Sequence, residues 1–343
     1  MATLDVFNSN AFSLVSMLNA ISAVDYRPMR LGEMPVFIPN PVRTEDVSIE
    51  SRDGVLGLIQ TSNRGADPDT RKTEKRAMRN FKTSRIMMAD RINASELANI
   101  RAFGTESEQM QVQAEILRRL AGPVGLQSQI EMTLENMRLG SIQGVVKDAD
   151  GSTIIDWFSE FGVTQATEID FDLDNASPAS GAVRKKCSQV VRQMMRASKG
   201  AWVPGTTVYC LCGDGFWDDL TAHKEVRETY LNTQEASDLR SGAVYEMFNY
   251  GGITFENYRG TDDGTTVSIA TDEAKFFPVN APGAFLEVFS PSEKFDTIGQ
   301  LGERMYPMIV PDRDRNMYAD IEAYSYPLHV CTRPAMLQRA RRT

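Results

Sequence analysis

RLGSIQGVVKDADGSTIIDWFSEFGV, residues 138–163, runs a helical pattern directly into a strand–turn–strand pattern. Upstream of it, Ile130, Met132, Leu134 and Met137 keep the spacing of one helix face and lead into Gly140. Downstream, GVVKDADGSTIIDWF reads as two strands around DADG, where Asp148, Asp150 and Gly151 supply the side chains and backbone freedom of a tight hairpin turn. Moving outward toward the N-terminus, residues 94–140 read as helix. A first piece spans Ala94 to Phe103. A second opens at Thr105, where TESE sets Glu108 at capping-box offset. Met110, Val112, Ile116, Leu117 and Leu120 continue at helical spacing, and AGPVG (121–125) bends or interrupts the run. Met and Leu at such spacing form core far more often than they line a cofactor.

Before that helix the chain has little to fold around. Residues 9–22 predict a short amphipathic helix capped by Asn10. The arm RPMRLGEMPVFIPNPVRTEDVSIESRDG follows, and Pro28, Pro35, Pro39 and Pro41 keep it extended. Strand pieces around the RDG turn and a returning strand through Phe81 and Met87 enclose NRGADPDTRKTEK, a loop poor in apolar residues. The result is a thin two-stranded excursion, and such hairpins are marginal alone in water. It carries RKTEKRAMRNFKTSR (71–85), with seven cations against Glu74: Arg71, Lys72, Lys75, Arg76, Arg79, Lys82 and Arg85.

Beyond residue 163, a helix is expected from Ser177–Pro178 to about Ser198, with Val183, Val190, Val191, Met194 and Met195 inward. TTVYCLCG (206–213) reads as a buried strand and GFWDDLTAHKEVRETYLN as short helices. TQEASDLRSGA adds another helical piece. YEMFNYGGITFENYRG reads as a hairpin about Gly251-Gly252, TVSIA and AKFFPVN as short strands, and the C-terminal part as long strands around PDRDRN. Strand material before, just after and far beyond the long helix predicts an α+β lobe closed by its last strands, with a second lobe inserted near 175–310.

The composition sets outer bounds. At 343 residues the chain exceeds one growing core, and 42% hydrophobic with 24% charged residues is ordinary for a folded protein. Net charge −9 and a pI near 5.0 argue against general affinity for DNA or anionic membranes. The start shows no basic residue before Arg27 and no long apolar core, and no apolar run approaches a membrane span, so a cytoplasmic site of synthesis is expected. Cys187, Cys210, Cys212 and Cys331 are expected as buried free thiols, because only His223 and His329 accompany them and no second Cys pair has zinc spacing.

Chemistry finds little support. The chain has no GxGxxG after a strand, no GxxxxGK[ST], no GxSxG and no HExxH, so neither catalysis nor a cofactor or metal site is expected. Asp170, Asp172 and Asp174 in DFDLD could hold a divalent cation, but a solvated edge strand is the favoured reading. Nucleic-acid binding would rest on 71–85 and on the tail RARR (339–342), with Phe81 the only interleaved aromatic. Assembly with copies of the same chain accounts for more: a proline-rich arm, a charged hairpin and a long helix look incomplete alone. Each exposed ion pair contributes only about 0–1 kcal/mol, yet repeated cations facing an acidic body can set register and association rate.

The chain resembles the major capsid proteins of tailed bacteriophages, of the lambda capsid protein E type, across nearly its whole length. Residues 138–163 are the most specific match. FSLVSMLNAI, RLGEMPVF, VSIESRDG…LIQTSNRGADPD, VRKKCSQVVRQMMR…VYCLCG and ERMYPMIVPDRDRN…EAYSYPLHVCTRP support it. The resemblance implies the Hong Kong 97-type shell fold, with an N-terminal helix and arm (1–45) and an extended E-loop (46–93). A spine helix with peripheral (P) domain strands follows (94–174), then an axial (A) domain (175–310) and C-terminal strands returning to the P domain (311–343). It further implies self-assembly into hexamers and pentamers of an icosahedral head around double-stranded DNA. Scaffolding, decoration and portal proteins would be further partners, in a virion built in the host cytoplasm. The cations of 71–85 would then sit on a neighbour's acidic surface, some facing DNA. Lys72, Lys75 and Lys82 are available for the covalent cross-links some members make, but no matching asparagine is identified. An encapsulin-like nanocompartment or another virion protein is the alternative.

Overall fold

The computed structural model describes residues 30–53, 75–99, 108–122, 124–175, 177–231, 247–261 and 267–343. The expected helix at 9–22, the Thr105 cap and the helical piece from TQEASDLRSGA lie outside these residues. The long helix runs Leu126–Gln143 and ends at Gly144, whose φ of +88° lets its N–H reach the Ser141 carbonyl. No side chain fits there, because a Cβ on Gly144 would stand 2.2 Å from the Phe158 ring. The helix Glu108–Ala121 precedes it, and the interruption falls at 122–125 as AGPVG predicts.

The strands follow in chain order: β1 Ile38–Pro39, β2 Asp46–Asp53, β3 Lys75–Lys82, β4 Ile86–Asn93, β5 Val145–Lys147, β6 Thr153–Asp156, β7 Ile169–Asp170 and β8 Thr207–Cys212. Then come β9 Met247–Tyr250, β10 Ile253–Asn257, β11 Glu273–Val279, β12 Phe285–Phe289, β13 Tyr306–Pro311, β14 Tyr318–Ser325, β15 Pro327–Cys331 and β16 Gln338–Arg341. Among the described residues they form a six-stranded mixed sheet (β7-β16-β11-β8-β10-β9), two three-stranded sheets (β1-β12-β15 and β13-β14-β4) and the two ribbons β2-β3 and β5-β6. Helices and sheets of both kinds make this an α+β fold, as expected.

The period-two rule divides β8 between two cores. Val208, Cys210 and Cys212 face the helices Ala182–Ala197 and Asp214–Ala222, while Tyr209 and Leu211 join the core shared with the long helix and β12-β15. All four cysteines are buried and free, and Cys210 and Cys212 stand 3.5 Å apart on one strand face. The hairpins at Asp150-Gly151 and Gly251-Gly252 form as their turn residues predict.

Several expectations need correction. Arg30–Glu33 is a helical turn and not extended arm, because Glu135 accepts the Leu31 and Gly32 N–H groups at 2.7 and 3.1 Å. The returning strand through Phe81 and Met87 is two strands. At Thr83–Arg85 the chain leaves β2 and joins β14, with Ser84 N–H donating to the Pro327 carbonyl. The helix expected from Ser177 begins at Ala182, where Glu225 accepts the Val183 and Arg184 N–H groups. Val267–Ala270 is no strand; Val267 O accepts the Thr261 N–H within a folded loop. The second strand of GVVKDADGSTIIDWF ends at Asp156, whose carboxylate starts the helical turn Trp157–Phe161. FLEVF was not anticipated but forms β12. Met195 is 47% exposed, on the side away from the core.

Candidate intersubunit surfaces

The ribbon β2-β3 pairs eight residues with eight, from Asp46 opposite Lys82 to Asp53 opposite Lys75, and with no other described strand. Its root is fixed by one cross-strand pair, Val47 and Phe81, both buried. Phe81 meets Trp157 edge-on at 5.2 Å and Phe161 at 6.3 Å. Trp157–Phe161 is the helical turn after β6, started by the Asp156 carboxylate, which accepts the Phe158 and Ser159 N–H groups. The quoted stretch therefore builds the socket for the ribbon. Beyond Val47 the strand continues six residues, about 20 Å at strand rise.

The seven cations fall into different settings. Arg79 lies over the Phe161 ring at 5.0 Å. Lys82 is 3.7 Å from Glu45, both largely exposed. Arg85 reaches Glu293 at 3.4 Å and stacks over Tyr324 at 5.4 Å, and a hydrogen bond involving Tyr326 raises its pKa further. Lys75 and Arg76 occupy the far end of β3, opposite Asp53 and Arg52. Arg71 and Lys72 lie outside the described residues. Asp148, Asp150 and Gly151 come together in the exposed β5-β6 turn. There Asp148 and Asp150 accept the Ala149 and Ser152 N–H groups, and the Ser152 hydroxyl holds the Asp150 carboxyl below its usual range.

The other candidates resolve simply. DFDLD is the edge of the six-stranded sheet: Phe171 and Leu173 are buried, the three aspartates are exposed, and Asp172 takes φ +53°. Among the described residues no three or more His, Cys, Asp or Glu side chains converge to hold a metal, and no helix is long and apolar enough to cross a membrane. The tail RARR is not a free basic end. Its residues 339–341 lie in β16, with Ala340 buried and Arg341 3.1 Å from Glu168, and Arg342 just past the strand is 2.9 and 2.7 Å from Asp219 and Asp272.

Sequence reasoning missed a buried ionic network on the long helix. Arg138 is 1% exposed and donates to Glu287 at 2.7 and 3.1 Å and to Glu135 at 3.4 Å. His329 Nε2 is 3.0 Å from the same Glu287 oxygen. Tyr258 donates to Glu135, and Arg304 pairs with Glu131. Alongside, Arg30 donates to Glu256 at 2.7 and 2.9 Å and to Tyr209 at 3.0 Å. Burial pushes the Glu131 and Glu135 carboxyls up. Burial acts the same way on Glu287 but is outweighed by His329 and Arg138, which hold it at about 2. The network joins the arm, the long helix, β10 and β12-β15. Its signal was the helical offset of Glu131, Glu135 and Arg138 on the side of Leu134.

The model of the family described as phage major capsid protein E matches residues 13–342. The chain belongs to that family. The major capsid protein of Salmonella phage Felix O1 is 23% identical over 95% of this chain and 95% of its own length. That of Pseudomonas phage KPP10 is 25% identical over 80% of this chain and 81% of its own. Among solved structures, the capsid of the cyanophage P-SCSP1u aligns with a TM-score of 0.53 at 11% identity, covering 92% of this chain and 89% of that one. The fold is thus the Hong Kong 97-type shell fold, and the capsid protein E chain is a structural component of a phage capsid.

Proposed function

We propose that this capsid protein E chain closes into hexamers and pentamers of an icosahedral head around double-stranded DNA, with no catalytic step of its own. The observation that carries the reading is the β2-β3 ribbon, anchored at its root by Phe81 and paired with no other described strand. A ribbon of this kind gains stability by lying on another surface, and in a family of shell proteins that surface is the adjacent copy. On this reading residues 46–93 are the E-loop, 1–45 the arm, 94–174 the spine and P-domain strands, 175–310 the A domain, and 311–343 the closing strands. Scaffolding, decoration and portal proteins would meet the assembled shell in the host cytoplasm.

Arg79, Lys82 and Arg85 have partners within their own chain, and the neighbour-directed charge is assigned to Arg71, Lys72, Lys75 and Arg76. Replacing those four with Ser should leave the subunit folded by circular dichroism and sharply reduce particle yield in sedimentation. Unchanged yield would remove the ribbon from the intersubunit contact.

A further inference from the structure

The helix Ala182–Ala197, with the two residues after it, holds six cations and no carboxylate, in a chain of net charge −9. Its buried face is Val183, Cys187, Val190 and Met194. At 100° per residue, Lys185, Arg192 and Arg196 fall in one narrow arc on the opposite side, with Arg184 and Lys186 flanking it, and Lys199 follows two residues past the helix end with φ +47°. All but Lys186 are exposed. Within the described residues none of the six forms an ion pair. Glu225, the carboxylate that meets the helix start, is occupied by the Val183 and Arg184 backbone N–H groups and the Tyr250 hydroxyl. The helix packs on the six-stranded sheet on the face away from the long helix, so this stripe points outward from the lobe.

We infer that the stripe is a contact surface for the phosphate backbone of double-stranded DNA and faces the interior of the shell. The inference rests on the capsid reading and names the part of the subunit that meets the packaged polymer. A uniform run of one sign, about 17 Å from Lys185 to Arg196 at helix rise, suits a polymer carrying one negative charge per roughly 1.7 Å of axis. The outward arc holds no aromatic residue to stack on a base, so the contact is independent of sequence. The stretch 339–342 differs, since Arg341 and Arg342 are already paired with carboxylates.

The test uses the full chain carrying Lys185→Gln, Arg192→Gln, Arg196→Gln and Lys199→Gln. Binding of a labelled random-sequence duplex is read by fluorescence anisotropy across a salt series, and shells are counted by electron microscopy. Wild type should bind with log affinity falling linearly in log salt. The variant should still form shells, lose about tenfold or more in affinity at low salt, and show a slope shallower by about 0.9 for each phosphate contact removed. The charge-conserving Arg192→Lys, Arg196→Lys variant should keep wild-type binding. Should the fourfold variant fail to fold, Lys185→Gln with Lys199→Gln should lower the slope by about 1.8. Shells with unchanged duplex affinity would overturn the inference. A folded variant that forms no shells would overturn it too, making the stripe a contact between copies. If wild type itself forms no shells, the capsid reading fails, while duplex binding still decides whether the stripe holds phosphate.

Discussion

Glu287 is the residue on which the buried network turns, because Arg138 and His329 share its carboxylate. Replacing it with Gln strands the Arg138 guanidinium with only Glu135. Breaking a buried pair in this way costs about 3–5 kcal/mol, to be read as a lower urea midpoint. The pH dependence has a definite sign. The folded carboxyl is held at about 2, below its ordinary 4.5. Its contribution is therefore complete above about 4.5 and lost as pH falls toward 2. The stability gap between wild type and Glu287→Gln should be constant near neutrality and shrink below that point. A gap independent of pH would contradict the assignment. Burial lowers the His329 pKa from 6.5 against the opposing pull of Glu287, so in the wild type its contribution is complete above 6.5 and fades on acidification. The one trace of this in the sequence is the helical offset of Glu131, Glu135 and Arg138 on the side of Leu134. Glu131, Glu135, Arg138 and Glu287 look like solvated surface charges until Leu31, Tyr258 and His329, more than 40 positions away from the group each meets, are brought to them.

At the scale of elements, the turns were the most legible. Asp150-Gly151 and Gly251-Gly252 form hairpins because their local chemistry needs no distant partner. The long helix and its break at 122–125 were legible for the same reason. FLEVF was hidden by Glu287 in its middle, which the network neutralises. The basic ending RARR concealed the strand β16, and Arg341 and Arg342 are matched by Glu168, Asp219 and Asp272 only after folding. The most consequential element contact is Phe81 in its Trp157–Phe161 socket. Phe81→Ala should release the ribbon root, at the about 3–5 kcal/mol typical of a buried Phe truncation. Backbone amides of β2 and β3 should then exchange about a hundredfold or more faster while those of β8 and β11 keep their protection. Equal acceleration throughout would mean the socket supports the whole subunit and not the ribbon. Gly144→Ala tests the neighbouring joint. A left-handed φ and a Cβ 2.2 Å from Phe158 predict a clear drop in melting temperature.

For the whole molecule, the acidic balance was legible from composition, but its distribution was not. The cations of 71–85 drew attention in sequence, whereas three of the seven are engaged within the chain. Among the described residues, a positive face without ion pairs lies on the helix Ala182–Ala197. If charge sets the contacts between copies, rising salt should dissociate capsomers well below the conditions that unfold a subunit, because exposed pairs are screened within a Debye length of about 8–10 Å. Sedimentation across a salt series, with circular dichroism on the same samples, separates the two events. The most direct test of the account is negative-stain electron microscopy of the purified chain at high concentration. Rings or closed shells of regular diameter are expected, and discrete single molecules under every condition tried would contradict the assembly on which the account depends.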